Sequence, residues 1–268
     1  MIFNRRFTWV LVLAWLVFLS GCAGKLPQTI AVNDSEKQQI FSRFNDFQSR
    51  VCDETIDADV SLVLTTLGKS EKASGILQVQ TPSFIRYTAT DPLGRSLFLL
   101  VTDGDTFTLA NNRKGEGYTG FTNSSYFNKY VPTSILPEDI FSWLSGSLGQ
   151  NRLLFEDMGR DKDNLQQIWL QAEGDDKNIH HVLFDLETEQ ILRRLVADNN
   201  RTILVDVRYE NYVQDKSRCP WPMKVTVESK ELTGTVTLYY GQIFFNAPLK
   251  PELFYLQLPP HFKINSVD

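Results

Sequence analysis

From Asp57 onward the chain alternates apolar and polar residues in short segments, and the turns between them are too short to hold a crossover helix. Ala58, Val60, Leu62 and Leu64 alternate with Asp57, Asp59, Ser61 and Val63, the period of a half-buried strand. Further strands are expected over residues 72–80, 84–90, 95–102 and 105–110. Gly68-Lys69-Ser70, Thr81-Pro82, Asp91-Pro92-Leu93-Gly94 and Asp103-Gly104 supply the turn chemistry between them. After residue 148 the rhythm returns over 165–172, 179–186, 190–197, 201–209, 223–229, 234–240 and 253–258. Strands joined this closely in sequence pair antiparallel.

Two stretches break the rhythm with helical spacing. Ser35-Glu36-Lys37-Gln38 has the form of a capping box, and Ile40, Phe41, Phe44, Phe47 and Val51 follow on one face, which predicts a helix over 35–51. A second helix is expected over 137–148. There Pro137 suits the first turn, Glu138 and Asp139 suit the positive end of the dipole, and Ile140, Phe141, Trp143, Leu144 and Leu148 supply apolar surface. The fold expected is mainly β: one strongly curved antiparallel sheet, with helices covering its open side.

The N-terminus has the layout of a signal peptide. Arg5 and Arg6 precede an apolar run over 7–19, broken only by Thr8 and well short of the roughly 20 residues that span a bilayer. Leu19-Ser20-Gly21-Cys22 resembles the bacterial lipobox, in which the thiol takes a diacylglycerol before cleavage. The expected organisation is a leader over 1–21, a lipidated tether over 22–33 and one domain over 34–268. The mature chain is then 268 − 21 = 247 residues. The residue after Cys22 is Ala23 and not Asp, which favours the periplasmic face of the outer membrane over retention in the inner one.

Charge and cysteine content bound what else the chain can do. A net charge of −5, with no basic run longer than Arg193-Arg194, argues against nucleic acid. Cys52 and Cys219 are either a disulfide or two buried thiols, and no CxxC supports a redox pair or a zinc site. His180 and His181 are adjacent and point to opposite sides of a strand, while His261 follows Pro259-Pro260. There is no GxSxG, GxxxxGK[ST] or GxGxxG. Lys114-Gly115-Glu116-Gly117 reads as a flexible loop. The acidic groups Asp53, Glu54, Asp57 and Asp59, and Asp157, Asp161 and Asp163, read as solvated loop charge. These residues propose no enzyme, no metal and no cofactor beyond lipid on Cys22.

The segment Tyr87-Thr88-Ala89-Thr90-Asp91-Pro92-Leu93-Gly94-Arg95-Ser96-Leu97, with Asp103-Gly104 after it, resembles the LolA/LolB superfamily, in particular outer-membrane lipoproteins of the LolB type. The likeness continues through Pro137-Glu138-Asp139-Ile140-Phe141-Ser142-Trp143-Leu144, Trp221-Pro222-Met223-Lys224-Val225 and Phe254-Tyr255-Leu256-Gln257-Leu258-Pro259. It implies an unclosed antiparallel half-barrel lidded by helices, with an apolar cavity that takes acyl chains of lipoproteins handed over by a soluble periplasmic LolA-like carrier. With 18 Phe, 9 Tyr and 5 Trp, the chain has enough aromatic surface to line a cavity or to fill a core. Lining candidates are Leu62, Leu64, Ile76, Leu97, Leu99 and Phe107, with Ile140, Trp143 and Leu144 as lid. The resemblance also places Leu93 where family members expose a leucine that helps insert cargo into the membrane. The alternative role is a non-catalytic assembly lipoprotein that uses the half-barrel as a docking scaffold in envelope export.

Overall fold

The computed structural model describes residues 26–50, 54–148, 153–174, 177–213, 220–232 and 234–267. Cys22, Cys52 and Cys219 lie outside the described residues, as do the leader and the site of lipidation.

A single 15-stranded sheet organises the chain. In chain order its strands are β1 (Thr29–Ala31), β2 (Thr55–Thr66), β3 (Lys69–Gln80), β4 (Phe84–Thr90), β5 (Ser96–Thr102), β6 (Thr106–Asn111), β7 (Glu116–Phe121), β8 (Leu154–Asp161), β9 (Gln167–Glu173), β10 (Ile179–Asp185), β11 (Gln190–Ala197), β12 (Ile203–Tyr212), β13 (Pro222–Ser229), β14 (Thr235–Phe245) and β15 (Lys263–Val267). Their order across the sheet is β1-β8-β9-β10-β11-β12-β13-β14-β2-β3-β4-β5-β6-β7-β15. Two meanders, β2 to β7 and β8 to β14, therefore meet at one antiparallel seam, where Leu62 lies opposite Leu238. Every pairing is antiparallel except that of β15 with β7. The edges β1 and β15 do not pair, so the half-barrel is unclosed.

Register turns the two-residue period into one continuous inner face. Val60 on β2 lies opposite Tyr240 on one side and Gly75 on the other, and the row runs on through Ala89 and Phe98. On the other arm the inner face carries Met158, Leu170, Val182, Val207 and Val225, all buried. Helix α1 (Asp34–Gln48) packs on this arm. Its buried Phe44 meets Phe155 and Phe184 edge-on at ring-centroid distances of 5.1 Å each. Ion pairs of Glu36 with Arg160, and of Arg43 and Arg50 with Glu189, fasten both of its ends.

Several local expectations change. Helix α1 is capped by Asn33, whose side chain accepts from the Glu36 N–H at 2.9 Å, and Ser35 donates to the same oxygen. The second helix is shorter than its apolar pattern. A 3₁₀ turn over Pro137–Asp139 leads into α2 (Ile140–Ser145), which Gly146 ends in the left-handed region at φ 68°. Of the expected loop Lys114-Gly115-Glu116-Gly117, the last two residues open β7, a strand the alternation did not predict. Its Gly117 makes room for the Leu258 side chain, which a Cβ would meet at 2.4 Å. The expected strand at 253–258 is instead a 3₁₀ turn over Pro251–Phe254 and an extended strap, set by the flanking prolines. This strap crosses the outer face of β4, where Arg86 donates to the Leu253 carbonyl and Phe84 packs on Phe254. It then delivers β15 to the far edge.

Candidate functional site

The inner face divides by what covers it. Over β11 to β14 lies α2. Phe141 and Tyr240 pack edge-on against Trp221, and Tyr240 Oη donates to the Leu144 carbonyl at 3.3 Å. Toward the end that holds the β2–β3 turn, the cover thins. Leu62 and Leu64 on β2, Val236 on β14, Tyr87 on β4, Phe98 and Leu100 on β5 and Leu109 on β6 are only half-buried. Register makes them neighbours on one face: Leu64 lies opposite Val236, Tyr87 opposite Leu100, and Leu100 opposite Leu109. Between the leucines of β2 and the aromatics of β4 and β5 stand the small residues Ala73, Gly75 and Ala89, which leave the floor shallow.

Beneath α2 sits a buried cation. Arg194, 4% exposed, projects from the inner face of β11 opposite Val182 and Val207. Its guanidinium carbon stands 3.5 Å from the Trp143 ring centroid, and Nη1 donates to the Ser147 carbonyl at 3.0 Å and to Ser142 Oγ at 3.3 Å. Burial lowers its pKa, and the nearby Tyr209 and Asp139 oppose that shift. Burial likewise pushes the Tyr209 phenol up to about 12, against the pull of Arg194, and holds the Tyr212 and Tyr240 phenols well above their ordinary value. Trp221 Nε1 is buried with no hydrogen-bond partner among the described residues, and the buried Tyr209 hydroxyl lies against the Arg194 guanidinium. An apolar face with inward-facing donors of this kind can hold hydrocarbon and a carbonyl or carboxylate oxygen.

The residues singled out from sequence divide in the same way. Leu62 and Leu64 lie on the inner face, and Ile140 and Leu144 are half-buried against the core beneath α2. Trp143 is buried against Arg194. Phe107 also faces inward, but Phe127 and Tyr126 already fill the space above it. Ile76 does not line the inner face: it pairs with Asp59 and Thr88 on the outer face and is 42% exposed. Leu99 faces outward too, between Thr88 and Ala110. The reason in both cases is phase, because a strand's apolar residues can occupy either face and only register decides which. Leu97 is the unpaired residue of a bulge between the pairs Ala89–Phe98 and Thr90–Ser96. Leu93 is 78% exposed at the β4–β5 turn, which Asp91 organises by accepting from the Leu93 and Arg95 N–H groups.

His180 and His181 lie on β10 with His180 on the inner face and His181 on the outer, where burial lowers the pKa of His181. Sequence reasoning missed Phe98, Leu100, Leu109 and Arg194. The signal for the first three was their alternation in phase with Tyr87. Arg194 had only the signal of a charge flanked by Leu192, Leu195 and Val196.

No family model and no curated protein matches the sequence. Solved structures do match the fold. A DUF1329 family protein from Desulfovibrio piger aligns at TM-score 0.58 and 9% identity, over 81% of this chain and 95% of that one. A LolA superfamily protein from Nitrosomonas europaea aligns at 0.55 and 12%, over 84% and 99%. A putative outer membrane lipoprotein-sorting protein domain from Vibrio parahaemolyticus aligns at 0.53 and 14%, over 81% and 94%. The unclosed, helix-lidded half-barrel of this chain is thus the fold that these structures share, that of the LolA superfamily protein among them.

Proposed function

We propose that the protein is a non-catalytic carrier lipoprotein, tied through lipid on Cys22 to the periplasmic face of the outer membrane. Its inner face accepts acyl chains of lipoprotein or lipid cargo, and a soluble LolA-like protein is the donor that suits it. The observation that carries this reading is the strip of half-buried apolar side chains from Val236 and Leu64 to Phe98 and Leu109, beside the α2 lid. Acyl chains need apolar surface that the chain has not already filled, and this is where the inner face supplies it. The likeness in fold to a lipoprotein-sorting domain supports the same reading. Leu93 then acts at release, passing cargo into the bilayer.

The test uses the chain from Ala23 onward, which retains every described residue, and a fluorescent acylated peptide. Saturable uptake is expected, and Leu64→Glu should weaken it at least about tenfold by placing a charge on the apolar floor. Leu93→Glu should leave uptake unchanged and slow transfer to vesicles. An unaltered chain that takes up no peptide would overturn the proposal.

A further inference from the structure

Strand register sends six turns to one end of the sheet: those after β2, β4, β6, β9, β11 and β13. Two of them carry bare leucines. Leu67, at the tip of the β2–β3 hairpin, is 104% exposed, more than Leu93 at the β4–β5 turn. Neither leucine contributes to the core, and a hairpin tip is an ordinary place for polar residues.

Cations surround these leucines. Lys69 and Lys72 flank Leu67, and Arg113 and Lys114 stand on the β6–β7 turn. That turn is stitched to the β4–β5 turn by Asn112, which donates to Ser96. All four are exposed, and among the described residues none is in a salt bridge. Of the neighbouring acids, Asp91 is paired with Arg95, which leaves Glu71 and Glu116, the latter accepting from Tyr118 Oη, against four cations. This is a local positive excess on a chain whose net charge is −5. The other turns of this end are mixed, with Lys177, Asp198, Arg201, Lys230 and Glu231, and those of the opposite end carry Asp103, Asp105, Asp161, Asp163, Asp185 and Glu187 with Lys162.

We propose that the Leu67–Leu93 end is a docking edge for a bilayer rich in anionic phospholipid, with the leucines entering the interface and Lys69, Lys72, Arg113 and Lys114 meeting lipid phosphates. Exposed apolar tips ringed by unpaired cations have the chemistry of such a surface, and a neutral partner would leave the cations without a counter-charge. The edge is independent of any attachment through Cys22. The chain enters at Thr29, which pairs with Asp161 at the opposite end, and the Lys162 N–H holds the Gln28 carbonyl there. The inference extends the carrier reading, because the half-covered strip of the inner face opens toward this same end.

Sedimentation of the chain from Ala23 with phosphatidylcholine vesicles, with and without about one-third phosphatidylglycerol, tests it. Binding is expected only with the anionic lipid and is expected to be lost near about 0.5 M salt. The Lys69→Gln, Lys72→Gln, Arg113→Gln, Lys114→Gln variant should bind at least about tenfold more weakly. Leu67→Ser should weaken binding and leave acyl-peptide uptake unchanged, which separates this edge from the inner face. Equal binding to neutral vesicles, no binding to anionic ones, or full binding by the charge variant would each overturn the proposal.

Discussion

Arg194 shows how one side chain can tie a lid to a sheet. A guanidinium is flat on both faces and donates only from its rim, so it can lie against Trp143 and still reach the Ser147 carbonyl just past the end of α2. An alkylammonium could not do both. The cost is desolvation of a charge, and a lone buried cation is a poor source of stability. Two replacements should therefore behave differently. Arg194→Ala leaves a void under Trp143 and strips the Ser147 carbonyl of its donor, and should cost about 3 kcal/mol. Arg194→Met strips the same carbonyl but fills the volume without a charge, and should cost about 1–2 kcal/mol. Urea unfolding followed by tryptophan fluorescence distinguishes them, and a Met variant as weak as the Ala variant would show that the charge itself stabilises the fold.

Among the elements, α2 is the most sharply specified at its end. Gly146 sits at positive φ, and an added Cβ would meet Tyr212 Oη at 2.6 Å. Gly146→Ala should destabilise by about 1–2 kcal/mol through backbone strain, and by more if Tyr212 must give up its bond to the Ile191 carbonyl. A thermal midpoint unchanged from the parent would refute this. Strands with a clear period and marked turns were legible in the sequence: 84–90 and 190–197 fall where the alternation puts them. The elements that escaped are those whose reason for existing lies elsewhere in the chain. β7 is glycine-bearing because another segment lies on it, and β1 and β15 are short edges that exist only by pairing with β8 and β7. Alternation also established which strands have an apolar face, but it could not say which face turns inward. That is why Leu62 and Leu64 fell on the inner face and Ile76 and Leu99 did not.

At the scale of the molecule, the C-terminal strap closes off surface that the sheet alone would leave bare. It lies on Phe84, Arg86 and Gly117, and β15 satisfies the outer edge of β7. Removing residues 249–268 should expose that outer face and an unpaired edge, and the shortened chain should bind a hydrophobic dye and self-associate. A truncated chain that stays monomeric by gel filtration would show the strap to be dispensable.

The seam between the two meanders has a further consequence, in time rather than space. Each meander can zip up from neighbour to neighbour, since every hairpin within it joins residues close in sequence. The pairing of β2 with β14 is different: Leu62 and Leu238 are 238 − 62 = 176 residues apart. Loop-closure entropy must be met there before any contact repays it. The strip on β2 to β6 needs only local pairings, whereas Val236 reaches its place beside Leu64 only when nearly the whole chain has been made.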